Sequence, residues 1–280
     1  MATIEEPGIY HGLTYAEYEA IPALRPSELK HWALLPTAAH VRYALDHPQG
    51  ESNALLVGNA FHAAVLEPSA FSDRYAAAPQ CDKRTKEGKA TWAAFCIEHP
   101  KSEILSSPDM EMVTGMQESV WRHPAAKEIL SGTGYNESAI VWEHPETAQL
   151  CKTRLDRIST YRNHPVIVNL KTTGQDAKSF AKAIANYGYH ISEAMGLDGI
   201  NELMPREWRI VYIVVEKSPP YATACFGPNP ATIEEGRRAY EDALRRYQQC
   251  EENQNWPGYP ETIQEVGLEK WAFKYKEAVT

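Results

Sequence analysis

Cysteine is scarce. Five residues, Cys81, Cys96, Cys151, Cys225 and Cys250, are scattered singly along 280 positions. An odd count without a CxxC pair argues against a disulfide framework, a zinc ribbon or an iron–sulfur cluster, and fits a reducing cytoplasm. Long apolar runs are also missing. No stretch approaches the ~20 apolar residues of a membrane span, and the opening MATIEEPGIY has no basic segment followed by an apolar one. Neither a membrane anchor nor a signal peptide is expected. Repeats and low-complexity tracts are absent. Positive charge is in short supply, with 28 Lys and Arg against 37 Asp and Glu and a formal net charge of -9. Indiscriminate coating of nucleic acid is therefore disfavoured, because phosphate neutralisation needs cations. A basic cleft inside an acidic body is still compatible with that total. Hydrophobic residues make up 43% of the chain, enough for a sizeable core.

The first 131 residues read as mainly helical. Arg25-Pro26-Ser27-Glu28 looks like a helix start with Ser27 as its N-cap. A second helix is expected from Ala54 to Leu66, ending before Pro68. The charged stretch Asp82 to Lys89 leads into another, through Trp92 and Phe95. After Gly132 and Gly134 the pattern changes. Glu137 to Glu143 alternates like a strand, and Leu150 to Ile158 alternates again. Pro165 to Lys171 reads as a buried strand, because its apolar run is nearly continuous. A long helix is expected over Ala177–Leu203, a strand over Arg209–Glu216, and a charged helix opened by Thr232-Ile233-Glu234-Glu235 as a capping box. The order predicts an α/β fold, a mixed sheet with a crossover helix flanked by further helices. We divide it as one domain over 1–280: a helical N-terminal part (1–131), a core (132–230) and a helical C-terminal part (231–280).

The chemistry concentrates between Asp156 and Lys171. Asn169 and Lys171 are two apart on a strand and leave the same face, and a hairpin brings Asp156 alongside. A carboxylate, a second oxygen ligand and a lysine can hold Mg²⁺ on oxygen atoms and place a charge near a scissile phosphate. The same spacing also fits a solvated sheet end.

Several strings together resemble the RecE-type phage exonucleases, which carry the PD-(D/E)xK core. Cys151-Lys-Thr-Arg-Leu-Asp-Arg-Ile158 followed by Val168-Asn-Leu-Lys-Thr-Thr173 is similar to that family's RPDRI…VDLKTT hairpin. Gly58-Asn-Ala-Phe-His-Ala-Ala-Val-Leu-Glu-Pro68 resembles its GTAFHALVLEP helix. Asp82 to Lys89, Glu137 with Val141-Trp142, Tyr187-Gly-Tyr-His-Ile191 and Leu197-Asp-Gly199 follow in matching order. The resemblance implies a restriction-endonuclease-like fold and Mg²⁺-dependent (or Mn²⁺-dependent) degradation of one strand of linear duplex DNA, 5′→3′, leaving 3′ tails for recombination. It also implies a homo-tetramer acting at duplex DNA ends with a single-strand annealing partner.

The roles carried over are metal ligation by Asp156, His62 and the Asn169 position, catalysis by Lys171, and an acidic neighbour in Glu137. Asn169 stands where the family has Asp or Glu. The resemblance therefore implies severely impaired hydrolysis in this chain. Ser192 and Gly196 replace the family's Gln-x-x-x-Tyr pair. Lys83, Arg84, Lys86 and Lys89 are the densest cationic group and the first candidates for phosphate contacts. Arg25, Ser27 and Lys30, at a helix start, are candidates for an end-phosphate pocket. A DNA-end-binding module without catalysis and an endonuclease on the same core are the alternatives.

Overall fold

The computed structural model describes residues 4–48, 50 and 52–273. Its frame is a six-stranded mixed sheet. The strands β1 (Gly8–Tyr10), β2 (Tyr135–Glu143), β3 (Leu150–Tyr161), β4 (His164–Thr173), β5 (Arg209–Glu216) and β6 (Thr223–Phe226) lie side by side in that order. Every neighbouring pair is antiparallel except β4 with β5. That parallel pair requires a crossover, which the largely helical chain between Thr173 and Arg209 supplies. The β3–β4 hairpin turns on Arg162 and Asn163, both at positive φ (48° and 66°). Two such residues in succession give the turn twist that matches antiparallel strands.

Both faces of the sheet are covered, which is why β4 is apolar almost without alternation. On one face lie α1 (Pro26–Leu34), α5 (Tyr189–Leu203) and α6 (Pro230–Asn253), with Leu29, Trp32, Ile167, Met195, Tyr212 and Leu244 in the shared core. On the other lie α2 (Asn53–Leu66) and α4 (Ser107–Arg122), packed through Phe61, Met116, Val168, Leu170 and Ile213. The remaining labelled helix, α3 (Lys86–Glu98), buries only Gly88. Among the described residues no helix is long and apolar enough to cross a membrane.

Three local expectations need correction. Ser27 is not the cap of α1. Pro26 occupies the first helical position, where its missing N–H costs nothing, so Arg25 is the N-cap and its N–H donates to Glu28 at 3.2 Å. The segment 177–203 is not one helix. It comprises a 3₁₀ turn, a helix over Phe180–Asn186, and α5, separated at Gly188, whose φ of 61° is open to glycine at no steric cost. Finally, α6 starts at Pro230 rather than at Thr232. The Asn229 side chain accepts the Thr232 N–H at 2.8 Å, and the helix continues to Asn253.

Candidate active site

The sheet forks. The β3–β4 ladder runs from Tyr161↔His164 to Arg157↔Val168 and stops there. Beyond it β3 stays paired with β2 as far as Leu150, and β4 with β5 as far as Thr173. Asp156 and Asn169 stand at the opening. The Leu170 N–H, which has lost its strand partner, donates to Asp156 Oδ2 at 2.7 Å. Leu24 bridges the freed edge of β3, donating to Leu150 O at 2.9 Å and accepting from Lys152 N at 2.7 Å. That bridge delivers the start of α1 to the rim of the fork. The resulting cavity of about 250 Å³ is lined by Arg25, Lys30, Asp156, Asn169, Lys171 and Glu193, among others.

On the α2 side, His62 Nε2 lies 3.1 Å from Leu170 O. A carbonyl only accepts, so Nε2 carries the proton and Nδ1 of the neutral ring is bare. Burial lowers the His62 pKa, which favours that neutral form. Bare Nδ1 faces Asp156 Oδ2 at 3.6 Å. Glu137 completes the group. It sits at φ 50° between the paired positions Asn136↔Arg157 and Ser138↔Leu155. A left-handed non-glycine residue costs on the order of 1–3 kcal/mol and is a recurrent mark of functional sites.

Among the described residues, His62, Glu137 and Asp156 present ligand atoms all within 4.8 Å of one another. Three such donors at that distance could all reach one cation placed between them. Two carboxylates and one imidazole suit a divalent ion such as Mg²⁺ or Mn²⁺. Burial, with the Asp156 charge adding, pushes the Glu137 carboxyl well above its ordinary range, and Arg154, 2.8 Å from Glu137 Oε2, opposes the shift.

On the other side of the fork, Lys171 Nζ is 3.5 Å from Asn169 Oδ1 and 5.3 Å from the Tyr189 ring centroid. The Asn169 amide donates to Glu193 Oε2 at 2.5 Å. Glu193 is 5% exposed. Burial pushes its carboxyl up to about 8, with Asp156 adding to the shift and Lys171 and Lys30 opposing it.

The family model that describes a PDDEXK-like domain of unknown function (DUF3799) matches residues 27–268. The chain belongs to this PDDEXK-like family. The matched range includes the fork, with Asp156 on one arm and Asn169-Leu170-Lys171 on the other. A crystal structure from Eubacterium rectale, described as a "Putative exonuclease", is similar in fold at a TM-score of 0.59, with 13% identity over 93% of this chain and 97% of that one. A second structure, SSO0001, shows 14% identity over 68% of this chain and 86% of that one, at a TM-score of 0.30, too low to establish a common fold. No curated protein matches by sequence.

The structure brings His62, Glu137, Asp156, Asn169 and Lys171 to one place, and Glu193 stands beside them, a residue the sequence reading passed over. Its signal was faint: one acidic residue next to Ser192 on a helix whose neighbours Ile191, Ala194 and Met195 are buried. Ser192 lines the cavity. Gly196 instead packs on β3, where an added Cβ would stand 3.2 Å from Leu155. At the rim, Arg25 is committed to Glu19 and Glu28, Ser27 is exposed, and Lys30 is half-buried. Burial, with Lys171 adding, lowers the Lys30 pKa.

The four-residue basic segment does not line the cavity. Lys83, Arg84, Lys86 and Lys89 are all exposed at the start of α3. Arg84 makes two 2.9 Å hydrogen bonds to Asp82. Lys83 Nζ sits 2.9 Å from the Trp92 ring centroid.

Proposed function

We propose that the chain is a divalent-metal-dependent DNA nuclease that degrades one strand of linear duplex DNA from its ends. The observation that carries the proposal is the convergence of His62, Glu137 and Asp156 within 4.8 Å at the mouth of the fork that also holds Lys171. His62, Glu137 and Asp156 would hold the cation, which supplies water activation and charge neutralisation at a phosphodiester. Lys171, on the facing arm, places a positive charge where a phosphate oxygen or the attacking water would lie. Lys30 adds a second cation to the same cavity. The acidic total charge then confines attraction for DNA to this cleft and to the start of α3.

End-dependence, 5′→3′ polarity and a role in making 3′ tails for recombination rest on the RecE-type resemblance. So do a homo-tetrameric ring with the cleft facing inward and a single-strand annealing partner, whereas a cytoplasmic location rests on the scattered, unpaired cysteines. Asn169 favours a second reading, a DNA-end-binding module with little or no turnover.

End-labelled linear duplexes and covalently closed circles, each with Mg²⁺ or Mn²⁺, separate these readings. Release of nucleotides from linear DNA with intact circles is expected, at the latest after Asn169→Asp. Cleavage of closed circles would assign an endonuclease. End binding without hydrolysis in both the parent and Asn169→Asp would leave only the binding module.

A further inference from the structure

The charges around the cation-binding group do not balance. Of the two carboxylates that converge with His62, Glu137 is paired with Arg154 at 2.8 Å. Asp156 alone remains to face a divalent ion, with Lys171 and Lys30 lining the same cavity. Asn169 offers an amide oxygen and no charge. We propose that Glu193, reaching from α5, supplies the negative charge that β4 lacks at Asn169, so that the carboxylate has moved from strand to helix and the site is competent to bind a divalent cation as it stands. The proposal deepens the nuclease reading and rests on it only for the purpose of the ion.

Placement supports it. Glu193 lines the cavity with Asp156, Asn169 and Lys171, and its carboxylate touches the amide of the residue whose charge it would replace, at 2.5 Å. A glutamate has one more methylene than an aspartate, so it reaches into the same space from a helix packed across the strand. Its surroundings are those of a functional group rather than a structural one. Tyr212, opposite Asn169 in the β4–β5 register, has a buried hydroxyl with no hydrogen-bond partner among the described residues, within electrostatic reach of Glu193. Buried polar groups are normally satisfied. A purely architectural Asn–Glu pair in a closed core would leave neither a spare donor beside it nor a cavity in front of it.

The test is a titration of the full chain with Mn²⁺ alone, read by calorimetry, with thermal unfolding as a control for the fold. Glu193→Gln should weaken Mn²⁺ binding by about 10-fold or more, the scale seen when groups that shape a metal site are lost. The double variant Asn169→Asp/Glu193→Gln should regain the parent affinity to within about 3-fold, because the charge returns on the strand. A parent that binds no Mn²⁺, a Glu193→Gln variant that binds as the parent does, or a double variant as weak as the single one would each overturn the proposal. Should Glu193→Gln alone fail to fold, the double variant decides against the parent: equal affinity supports the exchange, and a loss of about 10-fold removes it. DNA hydrolysis is a separate readout. Restored Mn²⁺ binding in a chain that cuts no DNA keeps the carboxylate exchange and removes the nuclease reading. Cleavage by a chain whose Glu193→Gln variant binds Mn²⁺ unchanged does the reverse.

Discussion

Asp156 and His62 hold the Leu170 backbone on either side of its Cα. Asp156 Oδ2 accepts its N–H at 2.7 Å and His62 Nε2 donates to its carbonyl at 3.1 Å. Leu170 lies between Asn169 and Lys171, so two of the groups proposed to hold a cation also fix the backbone that carries Asn169 and Lys171. Metal affinity, strand geometry and the aim of Lys171 are thereby linked.

His62→Ala removes a ligand and strands a buried carbonyl together. We expect Mn²⁺ affinity to fall by about 10-fold or more, and stability to fall by roughly 1–3 kcal/mol, the usual cost of an unsatisfied buried polar group. Titration and denaturant unfolding on one preparation check both. A stability loss with unchanged Mn²⁺ affinity would make His62 a core histidine only.

Lys171→Ala separates chemistry from binding. Lys171 is not among the converging ligands, so Mn²⁺ affinity should hold or rise slightly as a nearby positive charge is lost. The rate of DNA hydrolysis, in the parent or in Asn169→Asp, should drop by about 10²–10³-fold, the range for losing one group aimed at developing charge. Asp156→Ala should abolish both Mn²⁺ binding and turnover. A Lys171→Ala enzyme with undiminished turnover would remove the lysine from the chemistry.

The raised carboxyls give stability a pH signature. Burial moves Glu193 from the ordinary 4.5 to about 8, and burial with Asp156 moves Glu137 in the same direction. In EDTA the folded protein keeps protons at these sites that the unfolded chain releases above pH 4.5. The stability they contribute is full below that pH and drains away as pH rises to about 8. Tm in EDTA should therefore fall across this interval, and Mn²⁺, which competes with those protons, should raise Tm more at pH 8 than at pH 6. Glu193→Gln should flatten part of the decline. A flat Tm in EDTA would show that these carboxyls are already ionised.

Much of the frame was legible because each of its signals is local. The continuous apolar run of β4 and the alternation of β3 marked the hairpin, and Pro68 marked the end of α2. Boundaries failed where two local signals competed: Asn229 caps α6 three residues ahead of Thr232, and Gly188 interrupts what apolar spacing alone presents as one helix. The site was half legible. Strand neighbours such as Asn169 and Lys171 share a face by periodicity. The Asn169–Glu193 contact joins a strand to a helix 24 positions on, and no spacing rule encodes it. Nor does periodicity reveal that Arg25 is spent on Glu19 and Glu28, since that depends on how the short helix Tyr15–Glu19 packs beside α1.

The basic segment before α3 makes the last prediction. Lys83, Arg84, Lys86 and Lys89 are exposed and lie outside the cavity, so they can act on DNA only through its backbone, away from the reacting phosphate. Binding of that kind releases counterions, and affinity falls with salt by a slope of about 0.9 per neutralised phosphate in log–log form. The four residues are not equivalent. Arg84 is already matched by Asp82 through two hydrogen bonds, so Arg84→Ala alone should scarcely change the slope. Lys83 rests on Trp92, which pre-orders its ammonium. Lys86 and Lys89, in the first turn of α3, form no ion pair among the described residues. Replacing Lys83, Lys86 and Lys89 together by alanine should reduce the slope for linear duplex by roughly two to three phosphates' worth. Mn²⁺ affinity should be untouched, because none of the three approaches His62, Glu137 or Asp156. Fluorescence anisotropy over a salt series, with catalysis blocked by Lys171→Ala, gives the slope directly. An unchanged slope would make the segment a solvated face and confine DNA contacts to Lys30 and the fork.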